Sequence, residues 1–299
     1  MSNNTDSLRA VKDCTAGSVG GIFQVLAGQP FDTIKVRLQT QPTVKPGELP
    51  KYNGALDAVI KTFKQEGPSA FYKGTSTPLV GIGLCVSIQF FSLEAFKRYF
   101  MQKNQTDKLS LNQLFLAGAG SGLANSIVSG PVEHIRTRLQ VQSSGQKEYN
   151  GPIDAIKKIY NKEGIRGIYK GQVATIYREF IGYGAYFAAY EYLVQKEIEK
   201  TGLKRDQLSS LTVCKFGALA GYSMWLLAYP IDCVKSKIQT DGFTKADRKY
   251  SSIMNCIKIT YKQQGIKGFF NGFLPCILRA APANAATFLG FEMAMRVLN

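Results

Sequence analysis

The stretch Pro30-Phe31-Asp32-Thr33-Ile34-Lys35-Val36-Arg37-Leu38-Gln39 recurs as Pro131-Val132-Glu133-His134-Ile135-Arg136-Thr137-Arg138-Leu139-Gln140. It returns once more as Pro230-Ile231-Asp232-Cys233-Val234-Lys235-Ser236-Lys237-Ile238-Gln239. A second phrase follows each copy: Glu66-Gly67 with Tyr72-Lys73-Gly74, Glu163-Gly164 with Tyr169-Lys170-Gly171, and a weaker Gln264-Gly265 with Phe270-Asn271-Gly272. Two phrases in fixed order, three times over, define a tripled unit. Its period of about one hundred residues is too long for the common helical solenoids, whose repeats run about 33 to 47. We divide the chain into repeats at 1–105, 106–203 and 204–299. Each copy sets an acid and a base three residues apart beside a proline, in otherwise apolar surroundings. Charge in such a place is costly and marks function.

The net charge of +16 on 299 residues suits an anionic membrane surface, anionic ligands or nucleic acid. The charge is unevenly spread. Residues 74–93, 109–132 and 216–231 carry none, and stretches of this length are transmembrane candidates. The mean hydropathy of −0.09 argues against a uniformly apolar bundle. It fits helices with one apolar and one polar side, arranged around a water-filled interior. The six cysteines, at 14, 85, 214, 233, 256 and 276, make no C-x-x-C pair and no zinc spacing. The single histidine, His134, builds no metal site alone, and no cofactor is implied. The N-terminus Met1-Ser2-Asn3-Asn4-Thr5 has neither a signal core nor an Arg-rich presequence, so targeting information is expected within the mature chain.

Each repeat reads as long helix, loop, short amphipathic helix, long helix. The long helices are expected at 10–39 and 75–101, at 109–140 and 172–199, and at 208–239 and 273–298. Pro30, Pro131 and Pro230 fall inside the first long helix of each repeat and should kink it. The linker 40–52, with Pro42, Pro46, Gly47 and Pro50, is a loop. At 53–65, Leu56, Val59, Ile60 and Phe63 share a face opposite Lys61 and Lys64, which suits a helix in the interface plane. Comparable short helices are expected at 151–162 and 252–264. Glycines four apart, Gly17 and Gly21, Gly118 and Gly122, Gly217 and Gly221, should let neighbouring helices approach closely. Lysines crowd the intervening loops, among them Lys45, Lys51, Lys147, Lys157, Lys158 and Lys162. The positive-inside rule assigns those loops to one face and both termini to the other.

These residues resemble the mitochondrial carrier family over essentially the whole chain, with all three P-x-[DE]-x-x-[KR] signatures complete. The resemblance implies an all-α membrane protein: six transmembrane helices in a threefold pseudosymmetric barrel, with three short matrix-side surface helices. It implies the inner mitochondrial membrane, with both termini in the intermembrane space. Within the family, Arg279-Ala280-Ala281-Pro282-Ala283-Asn284, Arg178-Glu179 and the run from Gly28 to Gln39 are similar to the carnitine/acylcarnitine and ornithine-type carriers. They also resemble a fungal group of amino-acid and organic-acid carriers.

By the resemblance, a matrix gate pairs Asp32 with Arg136, Glu133 with Lys235, and Asp232 with Lys35, braced by Gln39, Gln140 and Gln239. Such pairs are only marginally stabilising, because desolvation offsets attraction, and a latch that must reopen is best shallow. The cytoplasmic pattern [FY]-[DE]-x-x-[KR] is degraded. Leu93-Glu94…Lys97 has its base, whereas Tyr190-Glu191…Val194 and Phe291-Glu292…Met295 have none. Carried over, only Lys97 with Glu292 forms a pair there. Lys73-Gly74 and Lys170-Gly171 open second long helices, where free amides and a lysine attract phosphate, so cardiolipin or another anionic lipid is expected. Asn271 weakens the third such site.

An asymmetric substrate should be read where the repeat breaks its own symmetry. Seven residues beyond each glycine of the second phrase stand Gly81, Arg178 and Arg279, with Glu179 beside Arg178. At 1.5 Å per residue that lies roughly 10 Å along the helix. Arginine offers a carboxylate a two-pronged fork, Glu179 offers an ammonium an acceptor, and Gly81 leaves room. The family places substrate contacts at these positions. A zwitterion with a neutral or acidic side chain suits the set; carnitine esters and basic amino acids such as ornithine also fit. A nucleic-acid binder needs no uncharged spans, and no binding motif is present. An enzyme is disfavoured too, for want of a nucleophile–base pair, metal cluster or phosphate loop. We expect a monomeric carrier working by alternating access, with solute exchange.

Overall fold

The computed structural model describes residues 2–42, 49–105, 109–143, 147–244 and 246–298. Lys45, Pro46 and Gly47 lie outside them, as does the side chain of Cys14. Among the described residues the regular structure is all helical. The α-helices are α1 (Ser2–Thr40), α2 (Ala55–Glu66), α3 (Ser76–Asn104), α4 (Leu111–Val141), α5 (Pro152–Ile168), α6 (Gln172–Thr201), α7 (Ser210–Thr240), α8 (Ile253–Gln264), α9 (Phe273–Leu278) and α10 (Ala280–Leu298). Pro30, Pro131 and Pro230 lie inside α1, α4 and α7.

Three features depart from the sequence expectation. The first helix starts at Ser2 rather than near residue 10. In the second repeat the short helix is kinked at Gly164, whose positive φ of 63° is non-helical, and a second helical piece follows it to Ile168. The last long helix is two helices, interrupted at Arg279. Pro282, which has no N–H to give residue 278, accounts for a break just before it.

Packing gathers the chain into two compact units. One combines Met1–Gly83, Ile135–Gly164 and Asn271–Asn299; the other combines Leu84–His134 and Ile165–Phe270. Neither coincides with a repeat. In the first unit α1 packs along α9 and α10. Gly20 makes this possible, since a Cβ there would sit 2.8 Å from the Thr287 carbonyl oxygen. Beneath, Ile34, Leu38, Tyr52 and Ala58 form a buried cluster that ties α2 to α1. In the second unit α6 packs along α7, and Leu93, Ala117 and Phe187 are buried together with Tyr183 and Tyr186 against them.

The paired glycines behave unequally. Gly118 and Gly122 press α4 onto α6, where Cβ atoms would meet the carbonyls of Tyr183 and Glu179 at 2.6 and 2.5 Å. Gly17, Gly21 and Gly221 have open space instead, which corrects the expectation of three equivalent close approaches. Spacing puts glycines on one helix face, but only the partner's position decides which face is used.

Many buried residues are polar or charged, and many exposed ones are large and apolar. Gln29, Thr33, Asn125, Ser129, Glu179, Asp232 and Lys235 are buried, whereas Val80, Phe91, Leu211, Leu226, Leu227 and Val297 are exposed. The short helices repeat the pattern. On α2, Ala58 and Thr62 face inward, while Leu56, Val59, Ile60 and Phe63 are exposed. That distribution reverses the rule for water-soluble domains, where large apolar patches at the surface mark an apolar surrounding or partner. Among the described residues one helix, α7, is long and apolar enough by itself to cross a membrane. The polar residues turned into the interior dilute the hydropathy of the others.

Candidate functional site

In the first unit the charges gather on Asp32. Its Oδ2 accepts from Arg136 Nη2 at 2.7 Å and lies 3.0 Å from Arg279 Nε. Arg136 also donates to Gln29 Oε1 at 2.5 Å, and Gln29 in turn donates to the Lys73 carbonyl at 2.9 Å. Arg279 reaches Asp32 by lying across Gly28, where a Cβ would stand 2.7 Å from its Nε. Only glycine leaves that path open. Gly81, the third residue of the expected set in this unit, is buried.

In the second unit a larger cluster forms around Glu133. Lys235 Nζ donates to Glu133 Oε2 at 2.6 Å, and Arg178 Nη2 contacts both its oxygens at 2.9 and 3.1 Å. Arg178 also donates to Glu179. Asp232 Oδ1 lies 3.2 Å from Lys235 and 3.9 Å from Arg178. Glu179 is 1 % exposed and accepts from Ser129 Oγ at 2.9 Å, while its second oxygen has no hydrogen-bond partner. Arg178 Nε is likewise buried without one. Unsatisfied buried atoms of charged groups are costly, and here they lie within a cluster that holds three acids and two bases.

The structure therefore brings Asp32 together with Arg136, and Glu133 together with Lys235. It also adds contacts the sequence did not suggest: each arginine expected to meet substrate already holds a gate acid, Arg279 holding Asp32 and Arg178 holding Glu133. Gln29 and Ser129 were missed. Position 29 is the residue before the signature proline, and its counterparts Gly130 and Tyr229 share no chemistry with it.

Gln39, Gln140 and Gln239 are all buried. Gln140 Nε2 donates to Thr33 Oγ1 at 3.3 Å, and neither amide atom of Gln239 has a hydrogen-bond partner. Lys97 and Glu292 each have partners within their own unit. Lys97 lies 3.6 Å from Glu94 and 3.8 Å from Glu191, and Glu292 pairs with Arg296 at 2.5 Å. Arg205 supplies the base that Tyr190-Glu191…Val194 lacks, at 2.8 and 2.9 Å. The motif itself has no base, as the sequence shows; the cation comes from the loop that follows α6.

Lys73 and Lys170 make contacts within the protein. Lys73 Nζ donates to Glu66 at 2.5 Å and to the Gln142 carbonyl at 3.0 Å. Lys170 Nζ donates to the carbonyls of Asp241, at 2.5 Å, and Gly242, and lies over the Phe243 ring. Both ammonium groups staple protein segments, Lys73 through a carboxylate and a carbonyl and Lys170 through two carbonyls. Glu66 receives a two-pronged contact from Arg37 as well, at 2.5 and 3.0 Å. Burial pushes its carboxyl upward, but the hydrogen bonds from Arg37 and Lys73 prevail and hold it at about 2. In the third repeat Lys237 Nζ donates to Thr260 Oγ1 at 3.1 Å, as Arg37 Nη1 donates to Thr62 Oγ1 at 3.1 Å in the first, and Gln264 stands at the position of Glu66. Beside Lys170 a cavity of about 960 Å³ is lined by Gly171, Gln172, Tyr177, Ile231, Ser252 and Met254. Gly171 caps α6 in the left-handed conformation with no side chain on the free amides.

Buried ion clusters inside an apolar exterior, repeated on proline-marked helices, define a membrane solute carrier rather than a soluble binder. The family model described as mitochondrial carrier protein matches residues 6–104, 107–200 and 206–299. The chain belongs to the mitochondrial carrier family, a family of transporters. It is 51 % identical over 285 residues to the glutamate/glycine mitochondrial carrier ymc1 of Schizosaccharomyces pombe, covering 95 % of this chain and 93 % of that one. It is 46 % identical to the mitochondrial glycine transporter YMC1 of Saccharomyces cerevisiae, covering 98 % and 93 %. To the human mitochondrial carnitine/acylcarnitine carrier protein it is 38 % identical, covering 100 % and 98 %.

Proposed function

We propose that this carrier moves a small amino-acid zwitterion, glycine or glutamate, across the inner mitochondrial membrane by alternating access and exchange. The six-span, threefold arrangement, with both termini in the intermembrane space, is part of that reading. The observation that carries it is the pairing of Arg279 with Asp32 at 3.0 Å. A substrate carboxylate that takes the Arg279 fork competes with Asp32 and leaves the gate acid with Arg136 alone. Binding then weakens the closed state, as differential affinity for two conformations requires. Glu179, with one unsatisfied oxygen, accepts the ammonium. Arg178 binds a second carboxylate at the expense of Glu133, which accommodates glutamate as well as glycine. Gly81 contributes room.

In the same reading, the matrix gate consists of Asp32–Arg136, Glu133–Lys235 and Asp232–Lys35, with Gln39, Gln140 and Gln239 as braces. Lys97 with Glu292 belongs to the opposite gate. Anionic lipid, cardiolipin by preference, binds at the free helix amides of Gly74 and Gly171, with Lys73 and Lys170 shaping those ends. The protein works as a monomer. The names of the two yeast relatives support an amino acid. The human relative favours carnitine as the second reading, and ornithine is a third. Proteoliposomes loaded with glycine, glutamate, carnitine or ornithine, and offered each in turn, decide between them. Fast exchange confined to carnitine overturns the amino-acid assignment.

A further inference from the structure

We propose that Arg205, in the connection between α6 and α7, is a positioning residue that keeps the latch between α3 and α6 weak by withholding Glu191 from Lys97. The inference rests on the carrier reading.

Glu191 is buried near the end of α6, and Arg205 grips its carboxylate with a two-pronged contact, Nη2 to Oε1 at 2.8 Å and Nη1 to Oε2 at 2.9 Å. That fork is the strong form of a carboxylate contact. Lys97 of α3 faces the same carboxylate at 3.8 Å, beyond hydrogen-bond range. One acid therefore stands before two cations on two elements, and the loop cation holds it. The loop is built to present Arg205. Gly202, at a positive φ of 69°, ends α6, and its N–H closes on the Ile198 carbonyl at 2.8 Å. Gln207 then accepts from the Lys204 N–H at 3.0 Å, so that Arg205–Gln207 form a single tight turn before α7. The guanidinium also lies 6.0 Å from the Tyr190 ring. Next to the three charges is a cavity of about 170 Å³, with Met101, Leu109, Leu114, Val194 and Ile198 on its walls. Apolar walls strengthen whichever ion pair forms.

The mechanical consequence follows from connectivity. An Arg205–Glu191 pair joins residues 14 apart and ties α6 only to its own following loop. A Lys97–Glu191 pair would tie α6 to α3. In alternating access these helix ends must part to open that face, so the competition sets how firmly they hold.

The test uses the full chain in detergent and in liposomes. Lys97→Gln, Glu191→Gln and the double variant are made with and without Arg205→Gln, and thermal unfolding gives the Lys97–Glu191 coupling. The coupling should be close to nil with Arg205 and should rise to about fivefold in the unfolding equilibrium without it. Uptake should slow by about fivefold in Arg205→Gln and recover when Lys97→Gln is added. Arg205→Lys, which keeps the charge but loses the fork, should lie between. Equal coupling in both backgrounds, or a slow Arg205→Gln carrier that Lys97→Gln does not rescue, overturns the proposal. The unfolding cycle reads the competition whatever solute is carried. A wild-type protein that takes up no offered solute counts against the proposed function alone.

Discussion

The two ion clusters grow from the same ten-residue phrase and end with opposite balances. Around Asp32 one acid meets Arg136 and Arg279, and the group is partly open, Arg279 being 28 % exposed. Around Glu133 three acids meet two bases, and all but Glu133 are nearly sealed. The first cluster carries an excess of bases and the second an excess of acids. Repetition supplies the shared charged positions, and the residues that break it supply the difference in charge. Arg279 stands alone where the second repeat has Arg178-Glu179, and Gln29 stands where the others have Gly130 and Tyr229.

That contrast can be broken most severely at Arg279. Arg279→Ala should abolish uptake while the purified protein still unfolds cooperatively; normal uptake would show that the base-rich cluster does not meet substrate. Glu179→Gln comes next. It leaves Arg178 with one acid fewer in a buried site, and breaking such a pair costs about 3–5 kcal/mol, so the melting temperature should drop. Uptake of the amino acid should also fall more than inhibition by its deaminated analogue. Equal losses would make the acid-rich cluster purely structural.

Gly28→Ala sharpens the comparison within the first unit. The new methyl displaces Arg279 from Asp32, and apparent affinity should weaken by about tenfold, equivalent to ~1.4 kcal/mol. Unchanged affinity would mean that Arg279 reaches the substrate by another path. The first and third repeats differ as well at the helix clamp, where the acid Glu66 of the first is replaced by Gln264 in the third. Glu66→Gln should cost about 1 kcal/mol at neutral pH after solvent screening. Because the folded carboxyl is held at about 2 against an ordinary 4.5, that difference should be full above pH 4.5 and vanish as pH falls through about 2. A gap that persists in acid would assign the effect to packing. The smallest signal is the Asp32–Arg136 pair itself, worth about 0–1 kcal/mol if solvent-screened. Asp32→Lys should be inactive and partly rescued by Arg136→Asp, and a fully active Asp32→Lys carrier would remove the latch.

Much of this was legible in the chain. Periodic phrases carry architecture because a tripled gene product must fold each unit alike. The pairs Asp32–Arg136 and Glu133–Lys235 could be named from the family resemblance that the repeated phrase carries. The glycine contacts and the staples made by Lys73 and Lys170 could not. Each depends on which carbonyl or ring another helix presents at that depth. Spacing along one helix does not encode that.

By itself, then, the sequence determined the helices, the threefold repeat, the charged phrases and the positions where symmetry fails. Helix propensity, proline and covalent register act locally and are written in residue order. Only the tertiary structure decided which acid each base takes. It placed Arg279 on Asp32 through the space left by Gly28, set Arg178 between Glu133 and Glu179, and gave Glu191 to Arg205 before Lys97. Those choices turn on differences of an ångström between competing cations in a low-dielectric interior, where the nearer charge wins. Such distances exist only once the helices are packed.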